Sequence, residues 1–434
     1  MKAKKRTYSL SHRAYSVTRS FLRSWNRPKS AGAPASAPAP SRPTGLKVAM
    51  IHNEKRIATG AHHINALMAQ GLAERGAIVR SFFPRRPLTD TPVHLRGIAN
   101  ILFFHSLLEH KDEVLKCHII QGTTYTPLPF LSFSVPVVCH FGSTIRGYLD
   151  AVPATRRLPK EERAVYKELV KLDIISDYDL QTFRPMEDVA DIEAITGAEA
   201  AACVATSNLV RDELVSLGVA PERVHVIHNA IEDYWFAPQR EAPPQPPHLV
   251  FLGRLGHDVF TLKLKGFSRL VNFYRAFPDV PKTTVCMTGN RKLKEWLRVA
   301  FPKHFMYVNL RKDLIPGALA PLFGSILFLS SRYEGFSLSL VEGMSQGLVP
   351  VAYPVGVVPE LIQNGVNGFI VTSQEEAYAR TRELLADDGR RLAMADAAKA
   401  SVEPLRSDRI AGELMSLYQN LRRDRKGAAG GPAA

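Results

Sequence analysis

The sequence predicts an α/β protein of two Rossmann-like lobes, each a parallel sheet flanked by helices, facing each other across a cleft. Three observations carry this expectation. Buried apolar runs alternate with helical segments in two successive series, glycine turns lead from runs into helices, and a proline-rich break, "PQREAPPQPP" at 238–247, separates the series.

The chain opens with a basic segment. Lys2, Lys4, Lys5, Arg6, Arg13, Arg19, Arg23, Arg27 and Lys29 are accompanied by no acid, so nine of the fifteen net charges sit in the first 29 residues. Leu10, Ala14, Val17, Phe21 and Trp25 recur at helical spacing between them. Residues 1–27 therefore suit an amphipathic helix lying on an anionic membrane surface, with a solubilising disordered tail as the alternative. Nucleic acid is not an expected partner, because no recognition module accompanies the charge. "PKSAGAPASAPAPSRPT" then reads as an extended linker, and residues 1–44 form one tail-and-linker unit.

The first lobe is expected over 45–237. It begins with the strand "LKVAMIHN", a glycine turn and helix in "TGAHHINALMAQGLAERGA", and the strand "IVRSFFP". Further strands are predicted at 100–104, 117–121, 135–140, 202–206 and 224–228, and a charged amphipathic helix at 158–172. The second lobe, 248–405, repeats the alternation from "HLVFLGRL" through "SILFLSS", "SLSLVEGMSQG" and "VPVAYPVG" to "GFIVT". Residues 406–434 are read as a closing helix, 409–423, and a disordered glycine and alanine end.

Bulk composition narrows the class. A content of 45% hydrophobic and 22% charged residues is that of a globular protein. No apolar run reaches the roughly 20 residues of a spanning helix, and no secretory signal is recognised, so a cytoplasmic protein, peripheral on a membrane at most, is expected. Cys117, Cys139, Cys203 and Cys286 lie in apolar runs without metal or redox spacing and read as buried thiols.

The chemistry concentrates in "SRYEGFSLSLVEGMSQGLVPVAYPVG", 331–356. A loop at the carboxyl edge of a strand leads into a helix near Leu338, so the amides of Gly335, Phe336, Ser337 and Leu338 point out of a helix N-terminus and suit a phosphate. Glu342, one turn into that helix, can accept hydrogen bonds from a ribose diol, as the acid of dinucleotide folds does. Glu334 at the loop tip then faces whatever lies beyond the phosphates, and a sugar offers hydroxyls for it.

E-G-F-S-L-x-L-V-E-G-M-x-x-G-x-x-P-V-A, with the following G-V-V-P-E and N-G-V-N-G-F-I-V, closely resembles the E-x(7)-E region of retaining, nucleotide-sugar-dependent glycosyltransferases of the GT-B fold, group 1 type. "FLGRL" and "KLKG" resemble that family's diphosphate-binding Arg and Lys pair. "TGAHHINALMAQGLAERG" resembles its first glycine turn, "VPVVCHFGS" its segment carrying an active-site histidine, and "CVATSNLVRDEL" with "VHVIHNAIEDYWFAP" the end of its N-terminal domain. The matches keep the family's order over residues 46–372. The resemblance implies that Glu342 binds the donor ribose, that Glu334 and the amides of 335–338 hold donor sugar and phosphate, that Arg254 and Lys265 neutralise the departing diphosphate, and that His140 touches the reacting sugar. Gly60 and Ala61 would line the donor site from the first lobe. The expected partners are a nucleotide sugar and a saccharide or lipid-linked acceptor. No cofactor is expected, and no metal is needed beside two cations and a helix terminus.

The sequence departs from the family pattern in three places. The eleven-residue spacing from Arg254 to Lys265 makes Lys263 a competitor for the cationic role and leaves "GHDVFT" as an inserted loop that covers the cleft. Ala61 replaces a usual glycine in the first turn, and Ala230 replaces one in "HNAIED". "DYD" at 177–179 is too short to argue for a metal-binding acid pair, and His62 and His63 lack a third ligand. The alternatives to transfer are an epimerase or hydrolase of nucleotide sugars on the same fold, and a non-catalytic scaffold binding sugar or membrane.

Overall fold

The structure is a computed structural model that describes residues 44–52, 60–85, 102–176, 187–237, 246–256 and 258–429. The basic tail, nearly all of its linker, "DYD" and most of the interlobe connector lie outside the described residues.

Valine-, isoleucine- and alanine-rich runs form two six-stranded parallel sheets. The first has the order β2-β1-β3-β4-β5-β6, with β1 Lys47–Ile51, β2 Ile78–Phe82, β3 Ile119–Thr123, β4 Val137–Phe141, β5 Ala202–Ala205 and β6 Val224–Val226. The second has the order β12-β11-β10-β7-β8-β9, with β7 Leu249–Arg254, β8 Lys282–Met287, β9 His304–Val308, β10 Ile326–Leu329, β11 Val349–Ala352 and β12 Phe369–Ile370. β3, β4, β10 and β11 are buried along their whole length, and β10 and β11 accordingly read as continuous apolar runs rather than alternations.

The strand orders locate the crevices. In the second sheet the chain lays down β7, β8 and β9 toward one edge, then returns to place β10, β11 and β12 on the other side of β7. The loops after β7 and β10 therefore diverge, opening a crevice at the carboxyl ends of these two neighbours. Arg254 ends β7, and the Glu334 loop follows β10.

The helices that position the site are α1 Gly60–Glu74, α2 Ile145–Ala151, α3 Lys160–Lys171, α4 Glu187–Glu199, α5 Asn208–Ser216, α6 Val259–Leu264, α7 Phe267–Ala276, α8 Leu338–Ser345, α9 Val358–Leu361 and α10 Ser407–Ala429. Thr144, Ser207 and Asp258 cap α2, α5 and α6 by accepting from Gly147, Val210 and Thr261 N–H groups, so each start is written locally.

Four expectations are corrected. Residues 102–104 are helical, not a strand, because a short apolar run fits either element. The 158–172 helix, α3, belongs to the second lobe's core: Leu158, Val165, Tyr166 and Leu169 pack with Phe267, Leu270 and Val271, and Glu162 pairs with Arg332. The closing helix continues to Ala429 rather than dissolving after Arg423. It packs on α1 of the first lobe, where Arg75 donates to the Asp408 carbonyl. Finally, "GHDVFT" is not simply a covering loop. Asp258 starts α6 within it, and Phe260 reaches the cluster formed by Val152, Leu264 and Tyr333 between the lobes.

Candidate active site

The loop Ser330–Ser337 is held from three directions. Behind it, Gly266 adopts φ +60, and a β-carbon there would lie 1.8 Å from the Ser330 carbonyl oxygen, so α6 and α7 can join so close to β10 only through glycine. Beneath it, Arg332 pairs with Glu162 at 2.5 Å, and Arg269 lies 3.9 Å from the same carboxylate. In front, Tyr333 donates to Glu213 at 2.7 Å and accepts from the Thr144 N–H at 3.0 Å, both in the first lobe. Gly335 was expected to offer its amide to a phosphate, and the absence of a side chain there serves a further purpose. Its close neighbour is the other lobe: a β-carbon would sit 2.0 Å from the Gly142 carbonyl oxygen, and Ser207 donates to the Gly335 carbonyl at 2.6 Å.

This scaffold brings Glu334 and Lys265 together. The Lys265 ammonium donates to Glu334 Oε1 at 2.5 Å, and Ser331 donates to the same oxygen at 2.7 Å. Both side chains keep a little exposure, 20% for Lys265 and 14% for Glu334. Arg254 is exposed at the end of β7 and has no ion-pair partner among the described residues. Burial raises the pKa of Tyr148 in α2, with Glu334 adding to the shift and Arg254 opposing it. Ser337 has φ +87, a left-handed conformation that a non-glycine residue adopts only under constraint, and it delivers the chain into α8. The N–H groups of Gly335, Phe336, Ser337 and Leu338 have no acceptor among the described residues, and they stand at the positive end of the α8 dipole.

Lys263 is fully buried, and that burial, with Arg332 nearby, brings its pKa down to about 8. Lys265 is the lysine hydrogen-bonded to Glu334. His140 is buried at the end of β4 in a small pocket with Ile64, Met68, Asn229 and Ile410, and it is absent from the described contacts of Glu334 and Lys265. Burial lowers its pKa to about 4 against the opposing hydrogen bond to Asn229, so it is neutral near pH 7. Gly60 and Ala61 begin α1, but residues 53–59 of the preceding turn are outside the described residues. Ala230 lines the His140 pocket.

Glu342 projects from α8 into a charged cluster that sequence reasoning missed. Lys312 lies 3.2 Å from Glu342 Oε1 and donates to both oxygens of Glu232 at 2.8 and 2.9 Å, while His63 of α1 is 3.5 Å from Glu232. Burial raises the Glu342 pKa, with the charge of Lys312 working against it. Glu162, Glu213 and Tyr333 were also missed. Glu162 lies in the charged helix, Glu213 in "CVATSNLVRDEL" and Tyr333 beside Glu334, but only their contacts reveal their roles.

Two parallel-sheet lobes with the crevice between the β7 and β10 loops define the GT-B architecture. Solved structures agree: sucrose-phosphate synthase from Thermosynechococcus elongatus superposes with a TM-score of 0.64 at 13% identity, covering 87% of this chain and all of that one. HepE from Anabaena, in complex with UDP-glucose, superposes at 0.59 with 16% identity over 86% of this chain and all of that one. The chain matches the family model "Glycosyl transferases group 1" over residues 236–401. It is also similar to D-inositol 3-phosphate glycosyltransferase 1 from Catenulispora acidiphila, with 29% identity over 244 residues, 48% of this chain and 56% of that protein. The chain thus spans about half of the length of the curated relatives it matches.

Proposed function

We propose that the protein transfers a sugar from a nucleotide-diphosphate sugar to a saccharide or lipid-linked acceptor, with retention of anomeric configuration. The observation that supports this reading is the pairing of Lys265 with Glu334 of the loop after β10, beside the end of neighbouring β7 that carries Arg254, with the amides of Gly335 to Leu338 lacking an acceptor among the described residues. The diphosphate lies against the amides and the two cations, Glu334 grips donor sugar hydroxyls, and Glu342 accepts from the ribose. Breaking the bond between the anomeric carbon and the phosphate oxygen leaves the electron pair on that oxygen. Arg254, Lys265 and the helix terminus stabilise the charge without reorganising solvent, and no metal is required. The acceptor hydroxyl attacks from the face the diphosphate leaves, and its proton passes to the departing phosphate oxygen. The complex of HepE with UDP-glucose supports a nucleotide sugar as the donor class. Residues 1–27 are assigned to an anionic membrane face on the cytoplasmic side, a contact that vesicle sedimentation with and without this segment tests.

The direct test is release of nucleoside diphosphate from a panel of nucleotide sugars, with and without saccharide and lipid-linked acceptors. Arg254→Ala should lower kcat by about 10² to 10³, the scale of losing one fixed donor to the leaving charge, with KM changed little. Unaltered turnover in this variant, or release of free sugar alone by the wild type, would overturn the assignment.

A further inference from the structure

Glu342 is 7% exposed and lies beside a second carboxylate, Glu232. Two acids so placed do not both stay ionised in a poorly solvated site unless a cation offsets them. Among the described residues, Lys312 alone is within ion-pair distance of Glu342. Its ammonium occupies Glu342 Oε1, and Oε2 carries no hydrogen bond from a described residue. A carboxylate with one oxygen anchored and the other left without a protein donor is arranged to accept from a hydroxyl.

The same ammonium reaches across a boundary. Glu232 lies in the segment that leaves β6 of the first lobe and faces His63 on α1, whereas Glu342 is in α8 of the second. Lys312 itself follows β9, so three elements distant in the chain meet on one charge.

We propose that Lys312 is a positioning residue for the donor nucleoside: it holds Glu342 ionised and oriented toward the ribose hydroxyls, and it ties that carboxylate through Glu232 to the first lobe. This inference rests on the nucleotide-sugar reading above and adds a residue that acts through Glu342 rather than touching the donor. The groups facing Glu342 are Lys312, Glu232, His63 and the hydroxyl of Tyr234. Burial opposes the charge on Lys312, but Glu342 and Glu232 outweigh it and raise its pKa, so it is a cation throughout the neutral range. Burial likewise works upward on Glu232, and the hydrogen bond with His63 together with Lys312 brings it to about 2. Removing Lys312 therefore raises the Glu342 pKa further, and Glu342 gains a proton as the pH falls.

The test is calorimetric titration of the full chain with UDP, GDP and ADP, and with the 2′-deoxy analogue of whichever binds best. Lys312→Met should weaken the ribonucleotide about tenfold, the scale of one charge-assisted hydrogen bond, and should erase most of the preference over the deoxy analogue. Its affinity should fall from about pH 8 to about pH 6 more steeply than that of the wild type. Lys312→Gln, which keeps a donor but no charge, should behave like Lys312→Met, and Lys312→Arg should restore most of the affinity. In a Glu342→Gln background, Lys312→Met should have little further effect. Wild-type affinity, deoxy preference and pH profile in Lys312→Met, or an equal loss in the Glu342→Gln background, would overturn the inference while leaving the donor reading intact. A wild type that binds none of the three diphosphates would overturn that reading and the inference together. Should Lys312→Met fail to fold, the Gln and Arg variants decide the matter alone.

Discussion

His140 and Glu193 are buried titratable residues of the first lobe whose effects on stability run in opposite directions. Burial lowers His140 to about 4, so between that value and the ordinary histidine value near 6.5 the unfolded chain binds a proton the folded chain refuses. Stability should fall as pH drops through this window. Burial raises Glu193 to about 8, against the Ile145 N–H that it accepts at 2.6 Å. Here the folded chain keeps a proton that the unfolded chain releases above about 4.5, so stability should fall as pH rises from about 4.5 to about 8 and level off beyond. Urea unfolding between pH 5 and pH 9 checks both: the two effects offset each other below about pH 6.5, so His140→Asn should leave stability falling as pH rises from 5 to about 8, and Glu193→Gln should leave it rising to about pH 6.5 and level beyond, each slope at most about 1.4 kcal/mol per pH unit. At this scale the sequence was informative where a residue's role is written in its neighbours. Glu334 and Arg254 follow apolar strands and precede glycine or a turn, which marks a carboxyl edge. Lys263 and Lys265 differ by only two positions, and the turn that ends α6 decides which is buried and which meets Glu334. Lys312 belongs to unremarkable local sequence and Glu232 to "HNAIED", and their meeting is a property of the assembled molecule.

Among the elements, α3 shows how an amphipathic face can be legible while its partner is not. The spacing of Val165, Tyr166 and Leu169 foretells one buried stripe, but nothing in the spacing says which sheet receives it. The structure adds the specifying contact: Glu162 accepts from Ser268 and Arg332 and lies near Arg269, directly under the Glu334 loop. Glu162→Ala should destabilise by about 3 kcal/mol, because it leaves buried guanidinium groups without their counter-charge, and it should reduce donor affinity as well, since Arg332 is two residues from Glu334. Urea unfolding and nucleotide titration of this variant measure the two effects; an unchanged denaturation midpoint would contradict the role given to Glu162. β9 escaped the sequence reading for a related reason. As an edge strand it exposes Phe305 and Tyr307, so its short run "FMYV" does not show the hydrophobic-to-polar alternation of a half-solvated strand.

At the scale of the whole molecule, two alternating series and a proline-rich break sufficed to foresee two sheets and a crevice between their carboxyl ends, because the order in which parallel strands are laid down restricts where loops diverge. Chain continuity, however, overstated the independence of the halves. α3 is encoded in the first half and completes the core of the second, while α10 is encoded in the second and covers α1 of the first with Ile410, Leu414 and Tyr418. Severing the polypeptide within 238–245 and producing the fragments apart should therefore give two poorly soluble species, each presenting a bare apolar groove where the other's helix belongs. Mixed during refolding, they should recover one stoichiometric complex, observable by size-exclusion chromatography. Such mutual lending of helices means that the two lobes cannot drift fully apart during a catalytic cycle without partial unfolding, so any opening that admits substrate must be a rocking motion pivoting on borrowed segments.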